Sequence, residues 1–151
     1  MLQPDQFKPQ SRKPGIIGVL NLAFAAIYLL LAVNAFNGLD DAVSRMPSLY
    51  RAEMRTAGYL DIAADVIGCV GLLAAGLLLL QRRALGRTLT QVVARFLALA
   101  IVIILVYTLF AFGGAAGSIL IQLFLGLLLR FAYPIIAARQ LAPPAAELGL
   151  T

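Results

Sequence analysis

Histidine and tryptophan are absent from the 151-residue chain, and cysteine occurs once, at Cys69. Each gap closes off some chemistry. Without histidine the usual haem ligand, the usual proton shuttle and the commonest metal ligand are gone. A lone cysteine makes no internal disulfide and no paired-cysteine site, so Cys69 reads as a small buried apolar residue. Charge is scarce as well: 13% of residues, against about 25% in an average soluble domain. No glycine-rich phosphate loop follows a strand, and no nucleophile, base and orienting group stand at a recognisable spacing. The sequence therefore leads us to expect no enzyme, no metal site and no cofactor.

Apolar residues are abundant instead. They make up 62% of the chain, above the roughly 45–50% of soluble domains, and they fall in four blocks. About 20 apolar residues span the ~30 Å hydrocarbon core as a helix. The blocks predict an all-α integral membrane four-helix up-down bundle, with spans near 15–37, 59–80, 89–112 and 116–137. Residues 1–14, with three prolines and Lys8, Arg12 and Lys13, read as a flexible basic tail, and 138–151 as a short C-terminal tail. The first block is too long for the core of a secretory signal, so it is read as a retained span. Residues 38–58 read as the one substantial loop, with Pro47-Ser48 able to open a helix that runs on into the second span. In the connection before the third span, Gly86 reads as the turn residue.

Charge sets the expected topology. With both termini and the Arg82–Arg87 connection on one side, nine Lys/Arg lie on or near that side (Lys8, Arg12, Lys13, Arg82, Arg83, Arg87, Arg95, Arg130 and Arg139). Three lie opposite: Arg45, Arg51 and Arg55. The positive-inside rule then places both termini in the cytoplasm. The net charge of +5 reads as topology and contact with anionic lipid, and no nucleic acid is expected as a partner.

Helical spacing sorts residues onto faces. In the first span Asn21, Ala25, Tyr28, Ala32 and Ala35 share a small or polar face. In the second, Asp61, Ala64, Asp65, Gly68, Leu72, Ala75 and Leu79 fall together, and small residues of this kind let helices approach closely in lipid. Arg95 shares a face with Gln91 and Thr88, while Gln122, Gly126, Arg130 and Tyr133 share one in the fourth span. The packing positions are thus Ala64, Gly68, Ala75 and Gly126. The candidate intramembrane polar site is Asp61, Asp65, Gln122, Arg130, Arg95, Tyr28 and Asn21. Ionisable groups at this depth are costly and seldom face lipid. Three readings follow. Arg95 and Arg130 extend to the headgroups, Asp61 extends outward and Asp65 is protonated or hydrogen-bonded across the bundle; or Asp61 and Asp65 line a small outward-facing cavity for a proton, a cation or a cationic solute; or a basic residue of a partner helix pairs with Asp65.

With GLLLLQRRALGRTLT at 76–90 and FAYPIIAARQL at 131–141 in view, the chain resembles a loose group of small bacterial four-helix membrane proteins. Those proteins often carry a GLLLL-basic-basic hairpin and a terminal Tyr-Pro helix end. The chain lacks the Trp that the group places before the Gly-Arg pair. The resemblance implies a membrane fold and a bacterial inner membrane, and it carries over no activity. The expected function is a non-enzymatic membrane protein, an accessory or assembly subunit meeting lipid and other subunits or itself. The alternative is a small proton- or cation-coupled transporter using Asp65.

Overall fold

The structure is a computed structural model that describes residues 12–113 and 132–151. The described residues are all-α, with no strand. Three helices are long and apolar enough to cross a membrane. They are α1 (Lys13–Arg45), α2 (Arg51–Leu80) and α3 (Ala84–Phe112). A further helical stretch covers 132–140, and a 3-10 turn covers Ala145–Leu148. The expectations for 1–11, and for the fourth span between 114 and 131, lie outside the described residues.

The helices run up and down, and α2 packs along both α1 and α3. Where α1 crosses α2, Gly18 faces Gly76: a Cβ added to Gly76 would stand 2.9 Å from the Gly18 carbonyl oxygen. Two backbones meet there because neither residue carries a side chain, which is the small-residue logic of helix packing in lipid.

The first helix is longer than its apolar block. It has 33 residues, about 50 Å at 1.5 Å per residue, well beyond the ~30 Å hydrocarbon core. The expected loop at 38–58 is therefore mostly helix. Leu39 and Val43 continue the helical spacing of the buried face, and Leu39 lies over Gly58 of α2, where any Cβ would collide with it. Pro47 ends α1 by forcing the preceding residue out of the helical region: Met46 has φ −81° and ψ 147°. A 3-10 turn at Ser48–Tyr50 leads straight into α2, as the continuous pattern implies, with no side-chain cap from Ser48. The loop's charges pair locally, Arg45 with Asp41 at 2.6 Å and Arg55 with Asp40 at 3.2 Å.

The α2–α3 connection is also shorter than expected, since α3 begins at Ala84 and not near 89. Its turn residue is Arg82, in the left-handed region with φ 56°. The Arg83 N–H donates to the Leu78 carbonyl at 2.9 Å and the Arg82 N–H to that of Leu79 at 3.0 Å, a Schellman ending with arginine where glycine is usual. Gly86 has another job. It sits inside α3, where a Cβ would lie 2.7 Å from the Leu79 backbone nitrogen and 3.0 Å from the Ala75 carbonyl oxygen.

The C-terminal segment closes this end. Leu141, Leu148 and Leu150 are buried with Ile17, Leu79 and Ala137. Backbone bonds join Ala84 N–H to the Thr151 carbonyl (2.7 Å) and Thr151 N–H to the Arg82 carbonyl (2.8 Å).

Candidate functional site

Asn21, Asp65, Thr90 and Thr108 are buried polar residues, and the first three define the interior chemistry. Asn21 lies on the buried face of α1 with Ala25, Tyr28 and Ala32. Its Nδ2 donates to Thr90 Oγ1 at 3.0 Å, and the Thr90 hydroxyl donates to the Gly86 carbonyl at 2.9 Å. From the other side the Tyr133 hydroxyl donates toward Asn21 Oδ1 at 3.0 Å and toward the Ile17 carbonyl at 3.2 Å. The Tyr133 ring stacks on Phe24, with centroids 3.9 Å apart and planes within 6°. This polar tie fastens α1, α3 and the segment 132–140 to one another. Each member finds a partner inside the protein, which a buried polar group needs if it is not to cost stability.

Further along α2, the Gly68 Cα approaches the Tyr28 ring. A Cβ there would meet Tyr28 and Leu97 at 3.2 Å. Tyr28, Leu72, Val93, Leu97 and Ala25 form one apolar cluster. Asp65 sits one turn from this layer and is 1% exposed, and none of Tyr28, Asp61 and Asp65 is left unpartnered. Ala75 is fully buried and Ala64 half-buried.

Asp61, one turn nearer the α1–α2 hairpin, is placed differently. It lines an open cavity of about 420 Å³ between the three long helices, with Gly38, Leu39, Met54, Gly58 and Thr108 among the other walls. Asp61 is the one ionisable residue among the described walls, which are otherwise mostly apolar. The two acids that share a face in the sequence thus occupy different environments, one sealed and one reachable.

Arg95 is brought to neither place. It is exposed on the far side of α3, beside the segment 132–140. The buried face of α3 runs through Gly86, Thr90, Val93, Ala94, Leu97, Ile104 and Thr108. Gln122, Gly126 and Arg130 lie outside the described residues. Thr90 and the contribution of Tyr133 to the tie were missed among the sequence candidates. The signal for Thr90 was its i+4 spacing from Gly86 and its place three and seven residues before Val93 and Leu97. Among the described residues, no group of three His, Cys, Asp or Glu stands together as a metal ligand set.

No family model matches the chain, and neither a curated protein nor a solved structure matches it significantly.

Proposed function

We propose that the chain is a non-enzymatic integral membrane protein with both termini in the cytoplasm, serving as an accessory or assembly subunit of a bacterial inner-membrane complex. The observation that carries this reading is the placement of Asp65. Asp65 is 1% exposed on the same buried face of α2 as Gly68, which packs on Tyr28, and it is not among the walls of the open cavity. An acid held in close packing between helices suits a scaffold better than a conduit. The outer surface supports membrane insertion: Leu30 is 63% exposed, Phe36 65% and Phe110 87%, a poor arrangement in water and an ordinary one in lipid.

Crosslinking in native membranes, followed by mild-detergent purification, tests the reading. Adducts larger than one chain are expected. A strictly solitary monomer that carries solute flux in proteoliposomes would sink it. Cysteines introduced at Ser48 and Arg83 test the orientation, with labelling from outside expected at Ser48 alone.

The cavity at Asp61 favours a second reading, a small proton- or cation-coupled carrier. Its walls are mostly apolar with one carboxyl, which suits a cation with an apolar body. Flux of such a cation that is lost in Asp61→Asn and Asp65→Asn would establish this reading over the first.

A further inference from the structure

The acids and bases of this chain are unevenly distributed along its length. Asp40, Asp41, Glu53, Asp61 and Asp65 all lie on the half nearer the α1–α2 hairpin. At the opposite end the described residues include one acid, Glu147, and seven cations: Arg12, Lys13, Arg82, Arg83, Arg87, Arg95 and Arg139. Arg87 is committed to the fold, since its Nε donates to the Leu141 carbonyl at 2.7 Å and its Nη2 to that of Ala142 at 2.9 Å. Gln91 also donates to the Leu141 carbonyl, at 3.2 Å.

Arg95 and Arg139 are in a different situation. Both are exposed, and neither is ion-paired among the described residues. They line one groove of about 310 Å³ between α3 and the segment 132–140. Ala94, Ala98 and Ala138 keep the groove wide, and Ile135 gives it an apolar wall. Arg95 lies about 16 Å along α3 from Ala84, counting 1.5 Å per residue. Arg139 lies near the end of its segment, two residues before the carbonyl that receives Arg87. A guanidinium at that depth along a span needs an anion or access to the headgroups. The groove puts a second guanidinium beside it with small and apolar residues between, so an occupant must be anionic at one end and apolar along its body.

We propose that this groove binds an anionic phospholipid of the leaflet at the α2–α3 end, with its phosphate held by Arg95 and Arg139 and an acyl chain along Ala98 and Ile135. Guanidinium groups suit the phosphate because they offer paired donors at fixed geometry. The site rests on the reading of the chain as membrane-inserted.

The test uses the full chain purified from membranes in detergent. It is titrated with phosphatidylglycerol or with phosphatidylcholine of the same acyl chains, and native mass spectrometry reads the fraction carrying one lipid. The wild type should prefer phosphatidylglycerol about 25-fold, each arginine contributing about fivefold. R95Q or R139Q alone should lose about fivefold, and R95Q/R139Q nearly all of the preference. R95K/R139K should keep most of it, and R45Q/R55Q at the other end should leave it intact. Should R95Q/R139Q fail to fold, the single variants and the lysine pair give the same comparison. Equal retention of the two lipids by the wild type, or an undiminished preference in the glutamine variants, overturns the site. So does displacement of the lipid by millimolar inorganic phosphate, which would point to a free anion. A chain that never enters a bilayer overturns the membrane reading and this site together. One that inserts and treats both lipids alike overturns the site alone.

Discussion

The two ends of the helical bundle are built on different terms. At the α2–α3 end the interior polar groups are consumed by the fold: Tyr133, Asn21, Thr90 and the Gly86 carbonyl bond in sequence, and Arg87 and Gln91 hold the carbonyls of Leu141 and Ala142. The C-terminal residues lie over the helix ends and bury Leu141, Leu148 and Leu150. At the α1–α2 end charged groups pair near the surface, and a cavity of about 420 Å³ opens between the helices beside Asp61. One end is a fastening and the other an opening. The difference matters because carboxamide and hydroxyl groups are spent on stability at one end, while the carboxylate of Asp61 lines an open cavity at the other.

The sharpest way to break the fastened end is to push α3 off α2. Gly86→Leu places a side chain against the backbone of Leu79 and Ala75, atoms that cannot move aside as a flexible side chain would. Overpacking of this kind costs about 1–3 kcal/mol and sometimes more. We expect loss of the folded species on size-exclusion after mild heating, while Gly15→Leu, with open space around its Cα, leaves it unchanged. Gly68→Leu should likewise reduce folded yield more than Leu78→Ala. Equal tolerance of those two would mean that the Gly68 face meets lipid.

The polar tie gives the next largest effect. Asn21→Leu removes one hydrogen bond from Tyr133 and one from Thr90 while their bonds to the Ile17 and Gly86 carbonyls remain, and each lost bond contributes about 0.5–1.5 kcal/mol. Thr90→Val should cost less than Asn21→Leu. The double variant should fall short of the sum of the singles, because both remove the same hydrogen bond. Full additivity in the midpoints of thermal unfolding would show that the tie carries no coupling.

At the open end the same kind of experiment should do little. Arg45 pairs with Asp41 across one helical turn, but their side chains are 78% and 65% exposed. Such i, i+4 pairs contribute about 0.3–0.5 kcal/mol. Arg45→Gln should therefore shift the unfolding midpoint by no more than a degree or two, and less in high salt. A shift as large as that of Asn21→Leu would erase the contrast between the ends.

How much of this the sequence carried depended on the helix. In α1 and α2 the small and polar residues coincide on one face, and that face is the buried one: Asn21, Ala25, Tyr28 and Ala32 in α1, and Asp65, Gly68, Leu72, Ala75 and Leu79 in α2. In α3 two stripes compete. Thr88, Gln91 and Arg95 form the more polar one, while Gly86, Thr90, Val93 and Leu97 form the one that packs. Polarity alone favours the first stripe. The second wins because Gly86 permits backbone contact, and because the segment 132–140 offers Arg95 a groove outside the core. The loop at 38–58 misled for a related reason. Its charged residues hid Leu39 and Val43, which extend the buried stripe of α1, and Pro47 marks the true break. The order of burial of two acids one turn apart was not legible, since spacing gives a shared face but not the depth at which neighbouring helices close over it.

The most direct measurement is the accessibility of single cysteines introduced at the two ends, in a Cys69→Ala background and in native membranes. Asp61→Cys and Thr90→Cys are each treated with a small water-soluble maleimide, and the labelling rates are compared. The position at 61, on the wall of the open cavity, should label readily, and the position at 90, inside the polar tie, should stay unmodified until the protein is denatured. Labelling at 90 as fast as at 61 would contradict the contrast between a sealed interior at the α2–α3 end and an open one at the α1–α2 end.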